Sequence, residues 1–120
     1  MSQPSDEFVA EVQKLQQTLS HKVNTLHQTQ ARLMERDRDR RRADLTLQEL
    51  STLPSSARVF QSLGKTFVLK PTESIREELT TQSKKCGDEL VALKSLQQKL
   101  QSDSVKIEKE LGELFRSSQQ

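Results

Sequence analysis

The hydrophobic side chains of this sequence follow a period of about 3.5 residues, then a period of 2, and then about 3.5 again. The first stretch, about 6–42, has apolar residues three, four and seven positions apart and contains neither glycine nor proline. The last stretch, about 74–115, repeats this spacing, and between them β-branched and aromatic residues cluster around Gly64. The long period predicts helices that pack along a seam, and the short one predicts strands. We therefore expect a mainly α chain in which one β-hairpin joins two long helices.

The first helical stretch has a clear start and an imperfect seam. Ser5 is a suitable N-cap, and acidic residues follow it in the first turn. Thr46 and Glu49 form a capping-box pattern, which predicts a separate short helix at about 46–53 that ends before Pro54. The expected apolar seam consists of Phe8, Val12, Leu15, Leu19, Leu26, Leu33, Ala43, Leu47 and Leu50, with Lys22, Thr29, Arg36 and Arg40 as polar interruptions.

The second helical stretch has a more regular seam. Thr72 or Ser74 is expected to cap it, and Ser74 with Glu77 forms a second capping-box pattern. The two predicted helices are similar in length, so we expect them to fold back as a long antiparallel coiled coil. Leu90 and Leu111 are expected to flank the seam. The seam itself is assigned to Ile75, Leu79, Cys86, Leu93, Leu96, Leu100, Ile107 and Leu114, with Gln82, Glu89, Asp103 and Glu110 as polar exceptions.

The segment 58–70 reads as a β-hairpin. Gly64 and Lys65 form a two-residue loop with glycine first, as a type II′ turn requires. The resulting register places Phe60, Phe67 and Leu69 on one face. A two-stranded hairpin is only marginally stable in water, so we expect this one to pair with strands of other chains.

Composition limits the remaining possibilities. Only 32% of the 120 residues are hydrophobic and 30% are charged, with four Phe and no Trp or Tyr, which disfavours the large core of an enzyme. His21 and His27 are six positions apart with no completing ligands, so we expect neither a metal nor a cofactor. A single cysteine, Cys86, excludes an internal disulfide and fits a reducing compartment. The N-terminal residues lack signal-peptide character and no apolar run approaches a membrane span, which predicts an intracellular chain.

The order of elements from Leu50 to Leu79 resembles that of a known family. Leu-Ser-Thr-Leu-Pro is followed by Arg-Val-Phe-Gln-Ser-Leu-Gly-Lys-Thr-Phe-Val-Leu and then by a capped long helix. This arrangement is similar to the β-class subunits of prefoldin, which have one hairpin where α-class subunits have two. The resemblance implies that the hairpins of two α-class and four β-class subunits assemble into a multisubunit β-barrel platform that carries six coiled coils.

The same resemblance implies a function. Prefoldins are cytoplasmic, ATP-independent co-chaperones that capture unfolded or nascent proteins, notably actin and tubulin, and deliver them to the cytosolic chaperonin. Neither nucleic acid nor membrane is an implied partner. The implied assembly residues are Val59, Phe60, Leu63, Gly64, Phe67, Val68 and Leu69, and the implied client-binding residues at the coiled-coil tips are Phe8, Val9, Val12, Leu111, Leu114 and Phe115.

Other interpretations remain open at this point. Phe8 and Phe115 are equally suited to closing the end of the helix pair without touching any client. A structural tether or scaffold would also use a coiled coil, although the hairpin would then be unexplained. The run from Arg36 to Arg42 suggests nucleic-acid binding, but acidic residues interrupt it and no aromatic side chain lies nearby. We interpret that run as a solvated helix C-terminus, where basic residues are favourable, with an acidic neighbouring subunit as an open alternative for what it faces.

Overall fold

The computed structural model describes residues 4–119. Its elements are α1 (Asp6–Ser51), β1 (Val59–Leu63), β2 (Thr66–Lys70) and α2 (Thr72–Ser118). The predicted mainly α fold with one hairpin between two long helices is confirmed. The chain divides into two compact units, each with a segment of both helices: one comprises the described residues up to Arg32 and from Leu93, and the other comprises Leu33–Ala92. We refer to them as the terminal unit and the hairpin unit.

Ser5 caps α1 as expected. The Phe8 backbone N–H donates to Ser5 Oγ at 3.1 Å, and the Val9 N–H donates to the Ser5 carbonyl at 3.1 Å. Asp6 and Glu7 occupy the first turn, where negative charge interacts favourably with the helix dipole. The start of α1 is therefore set by local side-chain chemistry.

α1 continues through the point where a break was expected before the segment 46–53. Residues 46–51 are helical, but they belong to α1 and do not form a separate short helix. The Thr46 hydroxyl donates to the Arg42 carbonyl at 2.9 Å, which is a bond within a helix and not a cap. Buried Ala43 also keeps this turn packed in the seam. The capping-box pattern here is incidental.

The end of α1 is tightened before Pro54. The Thr52 N–H donates to the Glu49 carbonyl at 3.1 Å, and the Leu53 N–H donates to the Leu50 carbonyl at 3.3 Å. Bonds that span three residues are common in the last turn of a helix, and proline cannot continue it.

α2 begins earlier than expected. The Ile75 N–H donates to the Pro71 carbonyl at 3.2 Å, so Pro71 is the cap residue and Thr72 is already helical. The expected cap at Thr72 or Ser74 is therefore wrong. Proline is compatible with the cap position because only its carbonyl is needed there.

The hairpin has the predicted register. Phe60 pairs with Leu69, Ser62 with Phe67, and Leu63 with Thr66. Gly64 has a φ of 62°, the left-handed value that glycine tolerates at the first position of a type II′ turn. Within residues 4–119, β1 and β2 pair only with each other.

The α2 seam differs from the expected one by one position in every heptad. Leu96 is 40% exposed, whereas Ser83, Leu90 and Ser104 are buried. Cys86 is followed in the seam by Leu90, and Leu100 by Ser104. In each case the spacing is four residues, where three were expected. This phase leaves Glu89 and Asp103 at the edge of the seam, where their side chains are partly exposed, although Glu89 Oε2 itself is buried without a hydrogen-bond partner among residues 4–119. Leu90, expected on the flank, lies in the seam itself.

Candidate functional site

One face of the hairpin is apolar and uncovered. Phe60 and Leu69 are cross-strand partners, and Phe67 lies on the same face, opposite Ser62. Phe67 is 73% exposed, and Phe60 and Leu69 are also exposed. Three large apolar side chains exposed on so small a sheet are typical of a surface that another protein covers.

The opposite face of the hairpin is partly covered. Val59 and Gln61 are half-buried, whereas Leu63 and Val68 are exposed. The Gln61 Oε1 atom is buried and has no hydrogen-bond partner among residues 4–119. Lys70 Nζ donates to Glu78 Oε1 at 3.1 Å, which joins the end of β2 to α2.

Both outer edges of the hairpin are open within the described residues. A two-stranded sheet leaves a row of backbone N–H and carbonyl groups unpaired on the outer side of each strand. An extended segment of another chain can add to such an edge through main-chain hydrogen bonds. The predicted hairpin residues thus combine two free edges with an apolar face.

Arg36 in the seam of the hairpin unit lies near three carboxylates, two on α1 and one on α2. Arg36 lies 2.8 Å from Glu35, 3.0 Å from Asp39 and 3.9 Å from Glu89 on α2. The side-chain hydrogen bond with Glu35, together with the negative charges of all three carboxylates, raises the pKa of the Arg36 guanidinium against the effect of desolvation. Arg36 is therefore charged at neutral pH.

Two further contacts in the hairpin unit were not anticipated from the sequence. The Ser83 hydroxyl donates to Asp44 Oδ1 at 2.6 Å, across the two helices. The Arg40 guanidinium lies over Gly87, so close that a Cβ atom there would be 2.8 Å from Arg40 Nη1. The only sequence signal for the second contact was a glycine inside a helix opposite an arginine in the seam.

The predicted tip residues meet at the paired ends of the helices in the terminal unit. The rings of Phe8 and Phe115 pack edge to face, with centroids 5.8 Å apart and an interplanar angle of 80°. Val9 and Phe115 are exposed. Val12, in contrast, is only 8% exposed and lies in the seam, so it contributes to helix pairing and not to an open surface.

A shallow groove lies beside the aromatic pair. Leu15 and Leu114 supply apolar surface, and three carboxylates stand around them. Apart from Leu114, none of the groove residues was predicted to bind a client, although Leu15 and Glu110 were assigned to the seam and each lies within one helical turn of a predicted client contact. The groove is lined by Glu11, Leu15, Glu110, Glu113, Leu114 and Ser117.

The terminal unit also has polar contacts along its seam. Lys22 Nζ donates to Asp103 Oδ2 at 3.4 Å between the two helices. Buried Thr29 donates its hydroxyl to the Thr25 carbonyl at 2.7 Å, and buried Ser104 donates to the Leu100 carbonyl at 2.8 Å. The seam is thus narrow and partly polar, so the helix pair gains less from apolar burial than an aliphatic coiled coil does.

Neither a helix able to span a membrane nor a cluster of metal ligands is present among residues 4–119. No helix in this range has the length and apolar character that crossing a membrane requires. Nor do these residues contain a group of three or more His, Cys, Asp or Glu side chains placed to hold a metal ion.

Sequence relatives place this geometry in a family. The family described as prefoldin subunit matches residues 6–118. Prefoldin subunit 1 of Arabidopsis thaliana is 33% identical over 106 residues, which cover 86% of this chain and 80% of that protein. A probable prefoldin subunit 1 of Dictyostelium discoideum is 29% identical over 99 residues, which cover 82% of this chain and 84% of that protein.

A solved structure has the same fold. The crystal structure of the prefoldin beta subunit from Thermococcus strain KS-1 superposes with a TM-score of 0.57 at 21% identity, covering 92% of this chain and 94% of that one. The order of helix, single hairpin and helix is thus shared over nearly the whole length. The chain belongs to the prefoldin subunit family.

Proposed function

We propose that this chain is a subunit of a heterohexameric co-chaperone, which it enters through its hairpin and in which its paired helix ends capture unfolded proteins. Membership of the prefoldin subunit family is consistent with a place in a chaperone complex. The observation that carries the proposal is the hairpin, which has two open strand edges and an uncovered apolar face. The partners at these edges are the α- and β-class subunits of the same family.

The energetics of the hairpin support assembly. An isolated hairpin of this size is marginally stable, whereas a strand added at each edge satisfies its backbone groups. Covering apolar surface contributes about 25 cal/mol per Å². A closed barrel of several hairpins accounts for both features, because closure removes every edge and gives the apolar face a covered interior.

The paired helix ends support client capture. Val9 and Phe115 leave apolar surface open beside the Phe8 ring, and the neighbouring groove mixes leucine with carboxylate. Such a surface holds extended apolar segments weakly and without sequence specificity. Several arms acting on one client then raise the overall affinity through effective concentration.

In this proposal the chain binds and does not catalyse. Clients of the actin and tubulin class are held in the cytoplasm without ATP or any cofactor and are transferred to the cytosolic chaperonin. Release needs no chemical step, because the contact at each arm is individually weak.

The mass of the native complex tests the assembly part. The chain is co-expressed with α- and β-class subunits and measured by native mass spectrometry. The proposal expects six subunits of more than one kind. A homodimer or an open fibre indicates a structural tether and contradicts the proposal.

A variant in which Phe8, Val9, Leu114 and Phe115 are all replaced by serine tests the client part. These residues lie in the terminal unit and the hairpin in the other, so assembly is expected to persist. Suppression of aggregation of an unfolded client is expected to weaken, most clearly when the complex is limiting. Val105→Ser is the matched control, since Val105 is exposed in the same unit away from the helix end. Client crosslinks confined to 59–69 would show that the hairpin region binds the client instead.

A further inference from the structure

α1 has two exposed apolar side chains on the face opposite its seam. Met34 is 76% exposed and Leu45 is 60% exposed. They are eleven positions apart, which is about three helical turns and about 16 Å, so they lie on one line along the helix. Buried Ala43 and half-buried Arg36 mark the seam on the other side of the same helix segment.

Basic side chains stand between these two apolar groups. Arg38 and Arg42 are four positions apart and so lie next to each other on the helix surface. Within the described residues, neither has a carboxylate within ion-pair distance, whereas Arg41 pairs with Asp37 at 3.1 Å. The surface around them is lined by Met34, Asp37, Arg38, Arg41, Arg42, Leu45, Thr46 and Glu49, all on α1.

The arginines of this face do not lie at the C-terminus of α1, so interaction with the helix dipole does not explain them. Basic residues are favourable in the last turn of a helix. α1, however, continues to Ser51 and has no basic residue in its last turn. Arg38 and Arg42 therefore lie in the helix interior, where like charges four positions apart destabilise the helix. Stability of the isolated chain does not account for this face.

We propose that the α1 outer face, formed by Met34, Arg38, Arg42 and Leu45, binds an acidic amphipathic helix of another protein. Apolar side chains three turns apart on that helix contact Met34 and Leu45. Carboxylates between them pair with Arg38 and Arg42, neither of which has a carboxylate within ion-pair distance among residues 4–119.

The chemistry of the face favours an acidic helix over a nucleic acid. Its two ends are apolar, and a phosphate backbone gains nothing from contact with methionine or leucine. Asp37 and Glu49 also lie on this face and would repel the evenly spaced charges of a phosphate backbone. The carboxylates of a peptide occupy chosen positions, so they can pair with the two arginines while alanine faces Asp37 and Glu49. No aromatic side chain lies on this face for base stacking.

A fluorescent peptide of about 18 residues tests the proposal. It has leucines eleven positions apart on one helical face, glutamates between and beside them, and alanine elsewhere. Its binding to the full-length chain is measured by anisotropy at several salt concentrations. Arg38→Glu with Arg42→Glu, and separately Met34→Ser with Leu45→Ser, are each expected to weaken binding by about tenfold or more.

Matched controls lie on α2 of the same unit. Lys84→Glu with Lys85→Glu reverses two exposed charges, and Val91→Ser removes an exposed apolar side chain. Both controls are expected to bind the peptide as the unmodified chain does. All these positions are exposed, so circular dichroism is expected to show unchanged helix content in every variant.

Three results would overturn the proposal. One is the absence of peptide binding to the unmodified chain. Another is equal binding of a peptide with lysine in place of glutamate. The third is single-stranded DNA binding as tightly as the peptide, with no effect of Met34→Ser and Leu45→Ser, which would make the face a general polyanion site. None of these results bears on the hairpin or the helix ends, so the proposed function is tested separately.

Discussion

Replacing Phe67 with aspartate is expected to exclude this chain from its complex while both helices stay folded. Phe67 lies on the uncovered face of the hairpin and is 73% exposed. It contributes almost nothing to the fold of the chain, since most of its surface already contacts solvent. The substitution therefore acts on assembly far more than on folding.

The magnitude follows from the exposed surface. A covered aromatic side chain buries about 150–250 Å². With 73% of Phe67 still exposed, assembly removes roughly 110–180 Å² more, which contributes about 3–4.5 kcal/mol at 25 cal/mol per Å². Loss of this contribution weakens assembly by at least about a hundredfold. A carboxylate on the covered face adds a desolvation penalty, so Phe67→Asp is expected to be more severe than Phe67→Leu.

The assay is size-exclusion chromatography with native mass spectrometry after co-expression with partner subunits. Val91→Asp is the control, because it adds the same charge at a position of the same unit that is 68% exposed. Circular dichroism checks that helix content is unchanged. Incorporation of Phe67→Asp at the level of Val91→Asp would refute the role assigned to this face.

Three smaller predictions concern the helices. Gly87→Ala is expected to stabilise the chain by less than the usual gain of about 1 kcal/mol, because the Arg40 guanidinium must move aside, and thermal denaturation should show the full gain only in an Arg40→Ala background. Ser83→Ala is expected to cost about 1 kcal/mol by removing the 2.6 Å hydrogen bond to Asp44, and an equal loss when Asp44 is already alanine would contradict this. Ser5→Ala removes the α1 cap at a cost of about 1 kcal/mol, which faster amide exchange in the first turn alone would reveal.

The hairpin was predictable in detail because its information is local. A glycine at the first position of a two-residue loop sets the turn, and the turn sets every pair from Leu63 opposite Thr66 outward. The Ser5 cap was predictable for the same reason. Both depend on residues no more than a few positions apart.

The helix seams were less predictable because they depend on the partner helix. Leu96 and Gln97 are neighbours, and only packing against α1 decides which of two adjacent positions faces the seam. A capping-box pattern at Thr46 is also compatible with a helix interior, so it cannot by itself locate a break. Because of that error the α1 outer face was not predicted. In a helix that ends at residue 42, the arginines would lie in the last turn, where basic residues are favourable.

The burial of Val12 confirms its assignment to the α1 seam, and it shows that Val12 does not belong to the open surface at the helix ends. Proximity to the helix end suggested an exposed client contact, but its heptad position places it in the seam. Sequence position correctly predicted which residues lie at the end of the helix pair. It could not predict which of them pack between the helices and which stay exposed to solvent.

The two open edges of the hairpin make this chain a bifunctional monomer in the sense of polymer chemistry. Each copy can join one neighbour at β1 and another at β2, and nothing in such a unit stops growth except closure of a ring. The size of the product then depends on the ratio in which the chain and its partner subunits are supplied. Without its partner subunits each copy keeps both strand edges open, so the chain is then expected to associate with itself or with other extended segments.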